Sequence, residues 1–171
     1  TAVGKAALIS NTTANNNTAV GYIALQNNTT GTENVAVGSL ALDGNTTGSE
    51  NTAIGYEALS ASLTNGGNTA VGRKALKSNT GSGNVAVGAK SLESNTSGIY
   101  NVSVGYAALT SNTTANENTA VGYYALNTLS SGNSCTAVGS QALENCTSGS
   151  DNTAVGQKAL EANTTGGYNT A

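Results

Sequence analysis

A glycine returns every 17 residues along this chain, with a single step of 16 residues between Gly72 and Gly88. Each glycine follows a motif close to Asn-Thr-Ala-Val, which is complete at residues 17–21 and 152–156. A fixed period of this length is typical of solenoids, in which each repeat stacks on the next. We therefore expect residues 1–171 to form one repetitive segment, and we expect that segment to belong to a longer fibre chain.

The composition excludes several other classes of protein. The 171 residues include no Pro, Met, Trp, Phe or His, and 9% of them are charged, with a net charge of −3. Disordered chains carry more charge than this, and ordinary globular domains carry more large apolar residues. Six Lys and Arg residues provide no basic stripe for nucleic acid. No apolar run has the length of a membrane span, so we predict no membrane insertion by this segment.

Each coil begins with an alternating pattern. In a β-strand, the Thr and Val of Asn-Thr-Ala-Val lie on one face and the Asn and Ala on the other. The Thr slot also holds Val35, Val85 and Val102, so we expect it to be buried or half buried. The Ala slot varies only at Ser103, which predicts a tightly packed face of small residues that a second chain can approach closely. Two variable residues after the glycine are predicted to face solvent.

An Ala-Leu pair follows, and its Leu is never replaced in ten coils. We predict that this Leu is the main core residue, at Leu25, Leu42, Leu59, Leu76, Leu92, Leu109, Leu126 and Leu143. The coil then ends in a turn-forming Asn-Thr-Thr-Gly segment. Two short strands and two turns per coil predict an all-β fold, a parallel β-solenoid (β-roll) of about ten stacked 17-residue coils. Gly, Asn and β-branched residues in every repeat oppose a helical alternative.

Stacking in register places the first Asn of each coil above its equivalents. The side-chain amides can then bond along the stack as ladders. The predicted ladder residues are Asn17, Asn34, Asn51, Asn68, Asn84, Asn101, Asn118 and Asn152. Each coil offers little apolar surface for the chain entropy that it must lose. We therefore expect self-association, either side by side or end to end.

The run Asn-Thr-Ala-Val-Gly-Tyr-x-Ala-Leu, at residues 17–25 and 118–126, resembles the head repeats of YadA-type trimeric autotransporter adhesins. It is also similar to repeats of some bacteriophage tail fibres and other bacterial surface fibres. The resemblance covers the whole chain, although the repeat here is longer and adds the Ala-Leu and Asn-Thr-Thr-Gly segments. It implies a left-handed β-roll, a homotrimer of chains side by side, and a place outside the cell, on its surface or in a virion tail.

The only two cysteines lie in one coil. Cys135 replaces the Asn before Thr-Ala-Val-Gly, and Cys146 replaces the Asn of Asn-Thr-Thr-Gly. We interpret the pair as a disulfide across the coil, which requires the two Asn slots to face each other and oxidising surroundings. The alternative is a pair of free buried thiols. Two Cys without His make a metal site improbable, and the sequence predicts neither a metal nor a cofactor.

Tyrosines provide the candidate binding surface. Tyr22, Tyr56, Tyr106 and Tyr123 share the slot after the glycine, and Tyr124 lies beside the last of them. They can form an exposed column for glycans or cell surfaces, or they can simply cover their neighbours in the stack. Sequons also recur, although the repeat itself generates them, at Asn11, Asn28, Asn45, Asn95, Asn112, Asn145 and Asn163.

Catalysis has no support in the sequence, because it has no His, no repeated carboxylate pair and no nucleophile beside a base. The main hypothesis is an extracellular structural fibre segment, an adhesin head or shaft or a tail-fibre-like spacer, whose coils give a stiff rod. The first alternative is a glycan or cell-surface binding module that uses the variable residues after each glycine. The second is ice binding through ladders of Thr, which the Thr/Val exchange at Val35, Val85 and Val102 disfavours.

Overall fold

The computed structural model describes all residues 1–171 and shows a parallel β-solenoid of about nine turns, as the repeat predicts. Each coil contributes one strand, and the ten strands form one sheet in chain order. The pairing is in register, so Ala19 lies opposite Ala36, and Ala36 opposite Ala53. The strands are β1 (Ala2–Val3), β2 (Thr18–Val20), β3 (Val35–Val37), β4 (Thr52–Ile54), β5 (Thr69–Val71), β6 (Val85–Val87), β7 (Val102–Val104), β8 (Thr119–Val121), β9 (Thr136–Val138) and β10 (Thr153–Val155).

The second half of each coil is not a strand, so the prediction of two strands per coil was wrong. Ile23 has φ 61° and Leu25 has φ 51°, and both values lie in the left-handed region, outside the β region. These turns bring the Leu back over the sheet within one repeat. The segment still bonds between coils, because the Leu25 N–H donates to the Ala41 carbonyl at 3.0 Å.

The core lies between the inner face of the sheet and the Ala-Leu turns. All eight predicted core Leu are fully buried, as are Ala19, Ala36 and the other Ala of strands β2 to β10. The Ala face is therefore packed inside the coil, and its predicted role as a contact surface for a second chain was wrong. The Leu side chains of the same chain cover the inner face of the sheet. The alternating Asn-Thr-Ala-Val pattern alone does not predict this contact.

Two serines that replace Ala of the repeat form a hydrogen bond with each other in this core. Ser103 replaces a strand Ala, and Ser91 replaces the Ala of an Ala-Leu pair; both are fully buried. The Ser103 hydroxyl donates to the Ala108 carbonyl at 2.9 Å and accepts from the Ser91 hydroxyl at 2.7 Å. A lone hydroxyl in an apolar core is costly, so each serine makes the other tolerable.

Two columns of buried Asn run along the inside of the turns. In the first, the Asn34 side-chain amide donates to Asn17 Oδ1 at 3.2 Å and to the Gly48 carbonyl at 2.8 Å. In the second, the Asn45 amide donates to Asn28 Oδ1 at 2.8 Å and to the same Gly48 carbonyl at 3.0 Å. The two Asn slots of a coil therefore converge on one carbonyl. This arrangement places the predicted ladder residues inside the coil, where they satisfy buried backbone groups.

Candidate functional site: the outer sheet face

The outward side of the sheet, which we call the outer face, is a regular surface that runs along the rod. It exposes the Thr or Val and the Val or Ile of each full strand. Its residues are Thr18, Val20, Val35, Val37, Thr52, Ile54, Thr69, Val71, Val85, Val87, Val102, Val104, Thr119, Val121, Thr136, Val138, Thr153 and Val155. None of them is charged. Most of the Thr-slot side chains are half buried, as expected, whereas Val20 is 37% and Ile54 39% exposed.

The outer face is also periodic and rigid. Val20 pairs with Val37, and Val37 with Ile54, so like side chains repeat at about 4.8 Å along the rod. Over nine strands the face extends for roughly 38 Å. β-Branched side chains have few rotamers and keep this order at low entropic cost. A continuous apolar stripe of this kind on a soluble surface indicates an interaction site.

Three tyrosines form a cluster beside β7 and β8. The rings of Tyr106 and Tyr123 are stacked with centroids 5.8 Å apart, and Tyr124 meets Tyr123 edge-on at 4.3 Å. Desolvation by the surrounding side chains and the neighbouring Tyr124 raise the pKa of the Tyr123 hydroxyl. Tyr106 is 43% and Tyr123 51% exposed, so the cluster presents aromatic surface to solvent.

The other two predicted tyrosines do not extend this cluster. Tyr22 and Tyr56 are exposed, but Ser39 stands between them in the stack, so the expected continuous column is interrupted. A hydrogen bond with Glu57 raises the pKa of Tyr56. Lys77 Nζ lies 2.7 Å from Glu57 Oε2, and this contact holds the pKa of Glu57 below its usual range. Tyr56 therefore belongs to a charged patch and not to an aromatic surface.

The cysteines are both buried thiols in this structure. Cys135 Sγ lies 3.1 Å and Cys146 Sγ 3.7 Å from the Gly149 carbonyl oxygen, which matches the place where the two Asn converge in other coils. Burial raises the pKa of both thiols, so the reactive thiolate is scarce at neutral pH. The structure thus brings the two side chains to one carbonyl, and the disulfide between them stays a prediction.

Replacing both cysteines by Asn is expected to stabilise the reduced protein by about 1–2 kcal/mol. The Asn152 amide nitrogen now lies 4.0 Å from Cys135 Sγ, and an Asn at 135 restores an amide oxygen as acceptor at this point of the ladder. Urea unfolding of the wild type and of Cys135→Asn/Cys146→Asn, both in reductant, measures the change. A double variant less stable than the reduced wild type would contradict this account of the ladder.

Four of the seven sequons named above lie inside the fold. Asn28, Asn45, Asn95 and Asn112 are fully buried, with their side-chain amides bonded in the second Asn column. These four cannot carry a glycan in the folded chain. Of the other three sequons named above, Asn145 is exposed, while Asn11 and Asn163 are half buried.

No group of three or more His, Cys, Asp or Glu residues is placed to hold a metal ion. The chain also contains no helix that is long and apolar enough to cross a bilayer. The outer face, the tyrosine cluster and the cysteine pair are thus the chemical features that the geometry offers for interpretation. No protein-family model, no curated protein and no solved structure matches the chain.

Proposed function

We propose that this chain is a structural segment of an extracellular fibre, in which three copies pack their outer faces around a common axis to form a stiff rod. The observation that carries the proposal is the uncharged outer face, whose side chains stay partly exposed along the rod although the core of each coil is complete. A stripe of Val and Ile in water is stabilised when a second apolar surface covers it. An identical stripe on another copy has the matching spacing.

The number of chains is taken from the resemblance of the repeat to trimeric adhesin heads. Backbone hydrogen bonds between coils run along the rod, as in the Val35 N–H to Asn51 carbonyl bond of 2.8 Å. The Asn columns inside the coils add side-chain hydrogen bonds in the same direction, as from Asn51 to Asn34 Oδ1. Three such rods packed side by side resist bending more than one, and the number of coils determines their length.

The mass in solution, measured by light scattering, tests this proposal. We expect three times the 16.7 kDa of one chain for the wild type. Val87→Lys with Val104→Lys places two charges in the middle of the outer face, and we expect that variant to run as a single folded chain. Ser39→Lys is the matched control, because the same slot holds Lys5 and Arg73 in other coils and lies off the outer face. A wild type that runs as one or two chains would overturn the trimer.

A second candidate uses the same surface in another way. Six of the nine full strands place a Thr on the outer face, and their periodic hydroxyls favour binding to an ordered lattice of water, as in ice, although Val35, Val85 and Val102 interrupt the row. The hydroxyls of Thr46 and Thr96 donate to carbonyls of the next coil at 2.9 and 2.8 Å, whereas those of the outer-face Thr make no hydrogen bond within the chain. Thermal hysteresis from a monomeric chain would favour this candidate, and a trimer that buries the face would exclude it.

A further inference from the structure

A shallow groove of about 520 Å³ crosses the turn edge of the rod between Glu50 and Tyr100. Its floor follows Ser49, Gly66 and Ser82, which occupy the same slot in three consecutive coils. No outer-face residue lines it. A site in this groove therefore does not rest on the proposed trimer.

Two irregularities of the repeat make the groove. The residue before the repeat Asn has a left-handed backbone in every coil, and most coils place a side chain there, as at Glu50 (φ 62°) and Tyr100 (φ 58°). Gly67 and Gly83 take the same conformation without a side chain. The turn before Asn84 is also one residue shorter than its equivalents, which is the source of the single 16-residue step. The edge is therefore open over two coils.

The floor of the groove carries backbone donors that have no partner in the chain. In neighbouring coils, the N–H of this slot is capped by a side-chain oxygen from the next coil. The Thr32 N–H donates to Ser49 Oγ at 3.0 Å, and the Ile99 N–H donates to Asn116 Oδ1 at 2.8 Å. The next coil has no such side-chain oxygen for the N–H of Ser49 or Ser82, and the Ser82 hydroxyl makes no hydrogen bond with the Gly66 N–H.

The N–H groups of Ser49, Gly66 and Ser82 make no hydrogen bond. Gly66 has no side chain to cap Ser49, and Ile99 offers no oxygen to Ser82. The same amide is also open at Asn15, near one end of the rod, and at Ser150 and Gly167, near the other end. The groove alone presents three open donors in a row, about 4.8 Å apart.

The remaining groups narrow the ligand chemistry. Glu50 is a carboxylate acceptor, and no Lys or Arg lines the groove, so an anion is disfavoured. Thr47, Thr64 and Ser82 add hydroxyls that make no hydrogen bond within the chain. The Tyr100 ring lies over Gly83, where a Cβ would be 2.7 Å from it, and is 62% exposed. Donors, acceptors and an aromatic face in one groove suit a molecule with many hydroxyls and apolar ring faces.

We propose that this groove binds a neutral oligosaccharide of two to three sugar units, laid along the rod axis from Glu50 to Tyr100. Three coil spacings separate these two residues, or about 14 Å, which accommodates a ligand of that length. Sugar oxygens accept from the N–H groups of Ser49, Gly66 and Ser82 at the positions that side-chain oxygens fill elsewhere. One sugar ring packs on Tyr100, and Glu50 accepts from sugar hydroxyls.

Titration of the ¹⁵N-labelled chain with maltotriose, cellotriose and tri-N-acetylchitotriose tests the proposal by NMR. At about 10 mM sugar, ten times a dissociation constant on the order of 1 mM, at least one probe is expected to shift the amide signals of the three floor residues. The proposal is overturned if no probe shifts these signals. It is also overturned if the shifts fall on Tyr106, Tyr123 and Tyr124, because the sugar then binds the tyrosine cluster.

Two variants with a matched control sharpen the test. Gly67→Glu fills the groove with the residue that neighbouring coils hold at Glu33 and Glu50, and a Cβ there has no neighbour closer than 4.0 Å. Tyr100→Ala removes the ring, and Tyr168→Ala is the control in the same slot of the last coil. Groove variants are expected to bind about tenfold more weakly or not at all, with the control unchanged. Unchanged binding in both groove variants, with folded spectra, contradicts the site.

Discussion

Gly105→Ala is expected to destabilise the protein by about 4 kcal/mol, because it combines backbone strain with a clash between coils. Gly105 has φ 137°, a conformation that residues with a Cβ rarely adopt. A Cβ at this position would also overlap the carbonyl oxygen of Gly122 in the next coil. That oxygen is part of the backbone and cannot rotate away, so the stack itself has to separate.

Gly156→Ala is the matched control for this change. Gly156 has φ 132°, nearly the same backbone, but a Cβ there meets no atom within 4 Å. Only the conformational strain remains, so we expect a loss of about 2 kcal/mol. Urea unfolding followed by circular dichroism compares the two variants with the wild type. Equal losses would show that the close stacking of glycines has no energetic role.

Asn101→Ala is expected to lower the free energy of unfolding by about 3 kcal/mol, since it removes hydrogen bonds of the first Asn column. The Asn101 amide donates to Asn84 Oδ1 at 3.1 Å and to the Ala115 carbonyl at 2.9 Å. Its Oδ1 accepts the backbone N–H of Asn118 at 3.0 Å, so the substitution leaves that buried N–H without a partner. Unsatisfied buried donors are more costly than a lost surface bond.

Asn27→Ala provides the comparison for Asn101→Ala. Asn27 also donates to a carbonyl, that of Asp43 at 2.8 Å, but its side chain is exposed and water can replace the bond. We expect a loss below about 0.5 kcal/mol for this variant. Hydrogen exchange at the Asn118 amide adds a local readout, because it is expected to accelerate in Asn101→Ala alone. Similar stability losses in both variants would contradict a structural role for the ladder.

Most of the coil can be predicted from the repeat, because each slot is sampled ten times. A Leu that never varies, such as Leu109, has to be in the core, and an Asn that recurs before eight of the ten strands has to satisfy buried backbone groups. The left-handed φ of that Leu, 49°, has no signal in the residue type, because Leu rarely adopts it. The single strand per coil, and the closing of the Ala face by the same chain, follow from this hidden turn.

The groove was missed for a different reason. Its signals, the 16-residue step and the glycines at 67 and 83, are visible in the sequence as departures from the repeat. They indicate where the stack is irregular, but the unpaired N–H groups of Ser49 and Ser82 are apparent only when the next coil is in place. A repeat predicts what its coils share, whereas a site in one region depends on what they do not share.

The direction of the hydrogen bonds determines how such a rod responds to force. Every strand pairs only with the strands before and after it, so the bonds that hold coil to coil lie along the long axis. A pull on the two ends loads these bonds in line, and we expect coils to detach one at a time from the ends, because a terminal coil has only one neighbour. Each detached coil releases 17 residues of slack, roughly 55 Å of extended chain. The rod can therefore lengthen in small steps under tension and rewind when the tension falls, as an extensible tether does.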